Sequence, residues 1–427
     1  MESDDEIDEI ISTHMSMIAD EVDVAQIEKI EELLNKPRGG SRPGRSPNVN
    51  RDHVRGHDQI MKDYFNDNPT YGPHKFRRRY CMRKSLFLRI HDTILDQCDY
   101  FVQRRDAVGN PGLSSIQKMT AAMQIFATGV VGDAVDEYVR IGESTTTESF
   151  KEFSKGIVKV FGPDYLRQPT EEDVIKQMEI NAARGWVGMF GSLDCTHWVW
   201  KNCPVALQGQ YRDKEGNNSV ILEAIATKNL WIWHAFIGIP GSNNDINVVD
   251  RSPLLVNLLN GVMPDVNFEV NGRIYNNFYL LTDGIYPDYS IFVKSITEPQ
   301  SMKRKYFARK QEGTRKDVER CFGDLKATFA CLSQGGRWWD IDTIVIVWEA
   351  TIIMHNMIVE DQEDDPELDN YLFDEENSIH VNHTPRAPLT FARLSTVVEH
   401  IKDRTLTSQL KEDLVEHLWA VRGDEDN

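Results

Sequence analysis

The chain has 427 residues, of which 40% are apolar and 27% are charged, and it is long enough for two or three globular domains. Its six cysteines are too few for a disulfide scaffold, so we expect a reducing compartment. The opening residues, MESDDEIDEI, lack the basic and apolar segments of a signal peptide. The longest apolar stretch, 341–359, contains Asp342, Glu349 and His355. The sequence therefore predicts neither a secreted nor a membrane-spanning protein.

The net charge of −19 is unevenly distributed along the chain. Residues 1–35 carry −11 and residues 360–427 carry −12, whereas residues 36–359 between them carry +4. Within this central part, residues 36–91 alone carry +10. The acidity of the whole chain therefore does not argue against binding of nucleic acid by its interior.

The first 56 residues are predicted to lie outside a packed domain. Residues 1–35 form an acidic arm in which apolar residues recur at irregular helical spacing. Residues 36–50 are rich in Pro, Gly, Ser and Arg, a composition typical of a flexible basic linker.

Helical periodicity characterises residues 57–185, and it is clearest at 86–95 and 116–129. Thr145 and Glu148 have the spacing of a capping box before a further helix. Short helices around a Gly-rich turn are typical of helix-turn-helix DNA-binding units, and also of bundles that only pack. The pattern alone leaves both interpretations of this region open.

From residue 186 onwards the pattern changes to β-branched and aromatic runs bounded by turn residues. Five runs are predicted to be strands: 188–202, 219–228, 230–239, 277–283 and 289–295. Helices are predicted at 246–260, 312–330 and 341–358. This order predicts an α/β fold, with a mixed sheet and helices on its faces.

Three acidic residues occupy notable positions in this pattern. Asp194 lies inside the first strand, Asp283 closes the fourth, and Glu319 lies at the edge of the apolar stripe of the basic helix. Sets of carboxylates hold the two Mg²⁺ or Mn²⁺ ions that phosphodiester chemistry uses. Taken singly, however, an Asp at a strand end is usually a turn residue, and Glu319 is well placed to pair with Arg315.

Several longer segments carry a resemblance to a known family. With 35 residues between Asp283 and Glu319, the chain resembles the DDE transposases, and more narrowly the plant-type branch of the PIF/Harbinger superfamily. The resemblance covers about residues 76–362 and again 413–419. The matching segments are QKMTAAMQIFATG, DEYVRIGEST, YLRQPT, GSLDCTHWVWKNCP, LEAIATKNLWIWHAFIGIPGSNNDINV, DGIYPDY, QEGTRKDVERCFGDLKATF, HNMIVED and DLVEHLW.

The resemblance implies an RNase H-like catalytic fold and a metal-dependent nuclease and strand transferase. Such enzymes cut DNA at the terminal inverted repeats of their element and join the freed 3′ ends to target DNA. Asp194, Asp283 and Glu319 would be the catalytic acids, and two Mg²⁺ or Mn²⁺ ions the cofactors. Asp245 matches a fourth metal ligand, although Asn244 or Asp245 would also serve as the N-cap of the next helix.

The resemblance also implies an organisation and partners. Residues 186–362 would form the catalytic domain, and residues 363–427 an acidic stretch with a C-terminal helical tail. The expected partners are DNA, a Myb/SANT-like accessory protein and further copies of the chain, in a homodimer or larger assembly. The expected location is the nucleus. One alternative is a domesticated nuclear DNA- or chromatin-binding factor without transposition, and another is a cellular RNase H-like nuclease.

Other side chains are predicted to have structural roles. Cys195, His197, Cys203 and His234 match no usual zinc spacing, and His197 would face away from Asp194 as a packed, hydrogen-bonded histidine. Four tryptophans alternate along two strands and are predicted to form a packed aromatic face: Trp198, Trp200, Trp231 and Trp233. Basic residues cluster between 294 and 320, as expected for a track that holds a DNA backbone.

Overall fold

The computed structural model describes residues 51–130, 132–259, 264, 266–363 and 403–425. The chain divides into two compact units, Met1–Arg51 and Asp52–Asn427, and nearly all described residues belong to the second. The predicted acidic arm, the basic linker and most of the acidic stretch after residue 362 lie outside the described residues.

The N-terminal part of the second unit is helical, as the periodicity predicts. Its helices are α1 (His53–Ile60, continued by a π-helical turn at Met61–Phe65), α2 (Pro73–Tyr80), α3 (Lys84–Gln97), α4 (Ser115–Thr128), α5 (Asp136–Val139), α6 (Glu143–Tyr165) and α7 (Glu171–Ala182). Short 3₁₀ turns occur at Asp99–Phe101 and Gly132–Val135. Capping boxes open two of the helices, with Ser114 and Gln117 at α4 and Thr170 and Asp173 at α7.

A mixed sheet follows. Its strands are β1 (Met189–Val199), β2 (Ser219–Ala226), β3 (Ile232–Pro240), β6 (Tyr279–Thr282) and β7 (Phe292–Lys294), and β4 (Asn267–Val270) pairs with β5 (Arg273–Asn276) in a separate hairpin. The order across the five-stranded sheet is β3-β2-β1-β6-β7. Strand β2 runs antiparallel to both of its neighbours, whereas β1, β6 and β7 are mutually parallel. The predicted mixed α/β architecture is confirmed.

The remaining helices connect and cover the strands. They are α8 (Gln208–Tyr211), α9 (Asp245–Arg251), α10 (Pro253–Leu259), α11 (Met302–Thr328), α12 (Ala330–Ser333), α13 (Ile341–Glu363) and α14 (Arg404–Glu425). Two hydrophobic clusters surround the sheet. One contains the side chains of the N-terminal helices together with parts of α11 and α13, and the other contains side chains of α7, β6 and α14. The N-terminal helices and the sheet therefore share core contacts.

Some predicted elements differ from those observed. The helix predicted at 246–260 is two helices, because Pro253 cannot continue the hydrogen-bond ladder and Ser252 before it is extended. The basic helix begins at Met302 rather than at 312, capped by Ser301, whose side chain accepts a hydrogen bond from the Arg304 backbone. The capping box at Thr145 is wrong, because α6 already begins after an extended Gly142. The β4–β5 hairpin was not predicted.

One described helix, α13, is long and apolar enough to cross a membrane by length and composition. Most of it is buried, and it packs against α6 and β3. Core helices of globular proteins meet the same criterion, so the helix is weak evidence for a membrane span.

Asn356, fully buried on α13, is expected to be essential for stability. Its amide donates hydrogen bonds to the backbone carbonyls of Tyr165 and Ile232, both at 2.8 Å, and its oxygen accepts one from the Ile232 N–H at 2.9 Å. Asn356→Ala leaves these groups buried and unpaired, so we expect a loss of about 2–4 kcal/mol in the free energy of unfolding by urea. The exposed Asn247→Ala should change it by less than about 0.5 kcal/mol. Equal losses of stability from Asn356→Ala and Asn247→Ala would contradict the structural role of Asn356.

Candidate active site

Asp194 lies in the middle of β1 and points toward α11. Its Oδ2 accepts a hydrogen bond from Arg315 Nη1 at 3.2 Å, and its Oδ1 accepts one from the Cys195 backbone at 2.9 Å. Burial raises the pKa of this carboxyl to about 6, and the negative charges of Glu319 and Asp245 add to the rise. Arg315 and the Cys195 N–H oppose it. Asp194 is thus a carboxylate held in a site that disfavours its charge.

Glu319 is brought to Asp194 by the same arginine. Arg315 Nη2 lies 2.9 Å from Glu319 Oε1, one helical turn further along α11. The predicted helix-surface pair between Arg315 and Glu319 is confirmed, but the bridge from Arg315 to Asp194 was missed. It could not be found from spacing within α11, since it joins residues 121 positions apart.

Asp283 directly follows β6. The parallel pairing of β1 with β6 ends with Ser192 opposite Leu281, two residues before Asp194 and two before Asp283. Both acids therefore follow the paired segment of these neighbouring strands. Asp283 is exposed, and its carboxylate accepts a hydrogen bond from the Gly284 N–H.

Asp245 is the first residue of α9, and it is not the cap of that helix. Asn244 is the cap, because its side chain accepts a hydrogen bond from the Asn247 N–H at 2.9 Å. Burial raises the pKa of Asp245, and the negative charge of Asp283 acts in the same direction. Asp245 therefore interacts with Asp194 and with Asp283, and its side chain is not engaged in capping.

The four predicted acids are linked in series by electrostatic repulsion: Glu319 and Asp245 each raise the pKa of Asp194, and Asp283 raises that of Asp245. They are not assembled as a metal centre: among the described residues, no group of three or more His, Cys, Asp or Glu side chains is arranged to hold a metal ion. Asp194 and Glu319 are instead paired with Arg315. The arrangement concentrates carboxylate oxygens but leaves part of their charge balanced by a protein cation.

A buried polar cluster lies on strands β2 and β3. Glu223 is fully buried, and its Oε2 lies 3.3 Å from His234 Nε2, which also lies 3.2 Å from Ser252 Oγ. The other carboxylate oxygen of Glu223, Oε1, has no hydrogen-bond partner among the described residues. Sequence reasoning missed Glu223, although a single glutamate in the otherwise apolar strand SVILEAIA is a visible signal.

The basic cluster between residues 294 and 320 is partly neutralised. Lys303 pairs with Glu416, and Arg304 with Glu412 at 2.7 Å, so the start of α11 is tied to α14. Lys305 and Lys316 are exposed, and their side chains have no hydrogen bond or ion pair to any described side chain. Lys294, Arg315 and Arg320 also form ion pairs, so the basic track expected from the sequence is interrupted along its whole length.

The remaining predictions concern His197 and the tryptophans. His197 is hydrogen-bonded as predicted, with Nδ1 3.0 Å from Ser219 Oγ, but it is exposed rather than packed. Trp198, Trp200 and Trp233 are buried, so their predicted packing is confirmed, but the tryptophans do not form one face. Trp198 and Trp200 belong to one hydrophobic cluster and Trp233 to the other. Trp231 is half-buried.

Part of the chain matches known protein families. Residues 163–366 match a protein family described as plant transposon protein, a range that contains the whole five-stranded sheet and all four acids. This region is therefore similar to a transposase-related family. Residues 56–94 match a family described as a domain of unknown function. The comparisons with curated proteins and with solved structures found no match.

The raised pKa of Asp194 predicts a pH-dependent stability. In protein kept metal-free by a chelator, Asp194→Asn should raise the free energy of unfolding by about 1–3 kcal/mol at pH 8, because the buried charge is removed. Since the native pKa is about 6 and exceeds the unfolded value, the native protein itself gains stability as the pH falls through 6 toward 4.

The gain from the substitution should therefore shrink to nearly zero at pH 4, as measured by urea unfolding. Asp67→Asn, at an exposed position, is the control and should have no effect at either pH. The same gain from Asp194→Asn at pH 4 and at pH 8 would refute the raised pKa of Asp194.

Proposed function

We propose that the protein is a metal-dependent DNA endonuclease and strand transferase of the DDE transposase class, within the PIF/Harbinger superfamily. The observation that carries the proposal is the grouping of Asp194, Asp283 and Glu319, from two neighbouring parallel strands and the helix packed on them. These acids lie inside the region that matches the plant transposon family.

The sheet supports the RNase H-like fold that this proposal requires. The strand order 3-2-1-6-7, with only the second strand antiparallel to the others, is the order expected for that fold. Asp194 on the central strand and Asp283 after β6 both follow the paired segment of these two parallel strands. The helix α11 then supplies the third acid from above the strands.

The donor chemistry of the site fits divalent metal ions. Asp194, Asp245, Asp283 and Glu319 offer only carboxylate oxygens, the ligands that Mg²⁺ and Mn²⁺ prefer. Burial and mutual repulsion raise the pKa of Asp194 and that of Asp245, and a bound cation would relieve both effects. Arg315 provides part of this compensation in the structure, and must release at least one carboxylate oxygen for such binding.

The proposed chemistry is phosphoryl transfer. Two bound Mg²⁺ ions would activate the attacking water or 3′-hydroxyl and stabilise the leaving oxygen. Asp194, Asp283 and Glu319 would hold these ions, and the ions would in turn bind oxygens of the reacting phosphate. Arg315, once displaced from a carboxylate, lies close enough to neutralise a phosphate oxygen. Cleavage at an element end and joining to target DNA would use the same acids in succession.

The ion pairs of Arg315 also favour a second candidate, a domesticated DNA- or chromatin-binding factor. Arg315 occupies one oxygen of Asp194 and one of Glu319, as a protein cation would in a site that no longer binds metal ions. In that case replacing either acid would leave DNA binding intact.

The other expectations belong to this proposal as well. The N-terminal helices would contact DNA, with the helix-turn-helix arrangement as the predicted mode. A Myb/SANT-like accessory protein would assist in the nucleus. Joining two element ends would require a homodimer or a larger assembly.

Plasmid nicking tests the enzymatic proposal. Purified protein with supercoiled plasmid and Mn²⁺ should produce nicked circles, and Asp194→Asn or Glu319→Gln should reduce the rate at least 100-fold by removing a metal ligand. The matched controls Asp67→Asn and Glu269→Gln, at exposed positions outside the site, should nick at the native rate. If neither the protein alone nor the protein with element-end DNA nicks, the binding-factor candidate is favoured.

Metal binding can be measured without activity. Saturating Mn²⁺ should stabilise the native protein in thermal unfolding, by about 2.7 kcal/mol at 100 times the dissociation constant. Asp194→Asn should lose most of this shift, whereas Arg315→Gln should bind Mn²⁺ more tightly because a competing cation is removed. No shift in the native protein and none in Arg315→Gln would count against a metal site at these acids.

A further inference from the structure

A cavity of about 1370 Å³ lies between α2 and α11, on a part of the surface that the proposed chemistry does not use. We name it the α2–α11 cleft. Its floor is formed by α13, including His355, and its walls carry six basic side chains: Lys75, Arg77, Arg78, Arg79, Lys228 and Arg320. The volume exceeds the roughly 300–1,000 Å³ of ordinary small-molecule pockets, which favours an extended ligand.

Most of this positive charge is not compensated. Lys75, Arg77, Arg78 and Lys228 are exposed, and their side chains have no hydrogen bond or ion pair to any described residue. Two acids also line the cleft, Asp324 and Glu363, and they keep their charge. Asp324 lies 3.7 Å from His355, whose pKa is lowered by burial, and Glu363 accepts a hydrogen bond from the neutral Asn229 amide. The six cations therefore exceed the acids of the cleft by four. Cations gathered in this way repel each other unless an anion binds between them.

The local sequence fixes the cations in this position. Phe76 and Tyr80, one turn apart on α2, are both buried, and their rings stack with centroids 4.2 Å apart. The residues between and beside them, Lys75 and Arg77–Arg79, are left on the exposed side of the helix. The end of α2 is also held to α11, because Cys81 Sγ donates a hydrogen bond to the Thr328 carbonyl.

Aromatic side chains on the same walls indicate which polyanion the cleft takes. Tyr71 is 41% exposed and lies against Tyr64, with ring centroids 5.3 Å apart, and both line the cleft. Grooves that bind nucleic acid strands combine backbone-binding cations with aromatic rings on which bases stack. An acidic protein segment would use the cations but would have less use for the rings.

The cleft is also close to two of the acids, Asp194 and Glu319. Arg320, on its wall, follows Glu319 in α11 and donates a hydrogen bond to the Lys228 carbonyl at 3.4 Å. Ala224, the β2 partner of Asp194, lies two residues before the end of β2, roughly 7 Å along the strand, and Lys228 follows in the β2–β3 turn. At about 3.4 Å per nucleotide, a DNA strand spans such a distance in a few nucleotides.

We infer that the α2–α11 cleft binds the sugar–phosphate backbone of a DNA strand and leads it toward Asp194 and Glu319. The cations neutralise successive phosphates, and the exposed tyrosine supports a base. The part of this inference in which the strand is led toward the acids rests on the proposed function. Binding of DNA in the cleft does not depend on catalysis.

Fluorescence anisotropy of the full chain tests the inference, with a labelled 20-base-pair duplex and with one of its single strands. Arg78→Gln combined with Lys228→Gln removes one cation from each wall, and should weaken binding roughly tenfold or more near 0.1 M salt. The slope of log affinity against log salt should fall by about 0.9 for each duplex phosphate that the variant no longer neutralises.

Three matched variants keep the result interpretable. Lys159→Gln with Lys176→Gln removes the same charge from exposed positions outside the cleft, and should bind DNA as the native chain does. Arg78→Lys with Lys228→Arg keeps the charge and should retain most of the affinity. Tyr71→Ala should weaken the single strand more than the duplex. Thermal unfolding of each variant verifies its folding.

If the Arg78→Gln, Lys228→Gln variant binds DNA with unchanged affinity and salt slope, the inference is overturned. The inference is also overturned if poly-glutamate displaces the labelled DNA as effectively as unlabelled DNA of equal charge, because that result would indicate an acidic protein partner. Plasmid nicking separates this result from the proposed function. If nicking requires Asp194 but the cleft substitutions do not affect DNA binding, the cleft inference is refuted and the proposed function is not. Loss of binding in the cleft variant, with no nicking by the native chain, supports the cleft and refutes the nuclease.

Discussion

The position of α11 across the sheet is the constraint on which the candidate site depends. Gln311 donates hydrogen bonds to the carbonyls of Thr282 on β6 and Val293 on β7, and further along the helix Arg315 reaches Asp194 on β1. Lys326 donates to Thr196, and Cys321 to the Leu230 carbonyl before β3. One helix is thus fixed against successive strands, so Glu319 is held over the strand that carries Asp194.

Electrostatics then explains why this region suits a polyanion and its counter-ions. The carboxylates around Asp194 are crowded and partly buried, which disfavours their charges, and Arg315 offsets only part of the cost. On the other side of α11, the α2–α11 cleft has an excess of positive charge. In the proposed function, a DNA phosphate would neutralise the cations of the cleft and a divalent cation would neutralise the carboxylates.

The N-terminal helices take part in this arrangement through the core. Phe126 and Phe150 pack in the same hydrophobic cluster as α13, and Asn356 joins that helix to α6 and to β3. Helix α2 packs into the same cluster through Phe76 and Tyr80, and the Cys81–Thr328 hydrogen bond joins its end to α11. Its arginines therefore form a wall of the cleft. A region that resembles a separate binding module in the sequence is physically continuous with the sheet.

Local periodicity and turn residues are enough to predict most of the helical and strand segments and the mixed sheet. Their pattern also singles out Asp194, Asp283 and Glu319 as candidates, whereas Asp245 is a candidate only through the family resemblance. The sequence also contained the Arg315–Glu319 pair, since residues four apart on a helix are neighbours. Tertiary structure alone decided that Arg315 also binds Asp194, that Asn244 rather than Asp245 caps α9, and that Arg78 and Lys228 line one cleft. Those contacts join residues distant in sequence, or choose between two adjacent polar groups, and only the packing of elements against one another sets such distances.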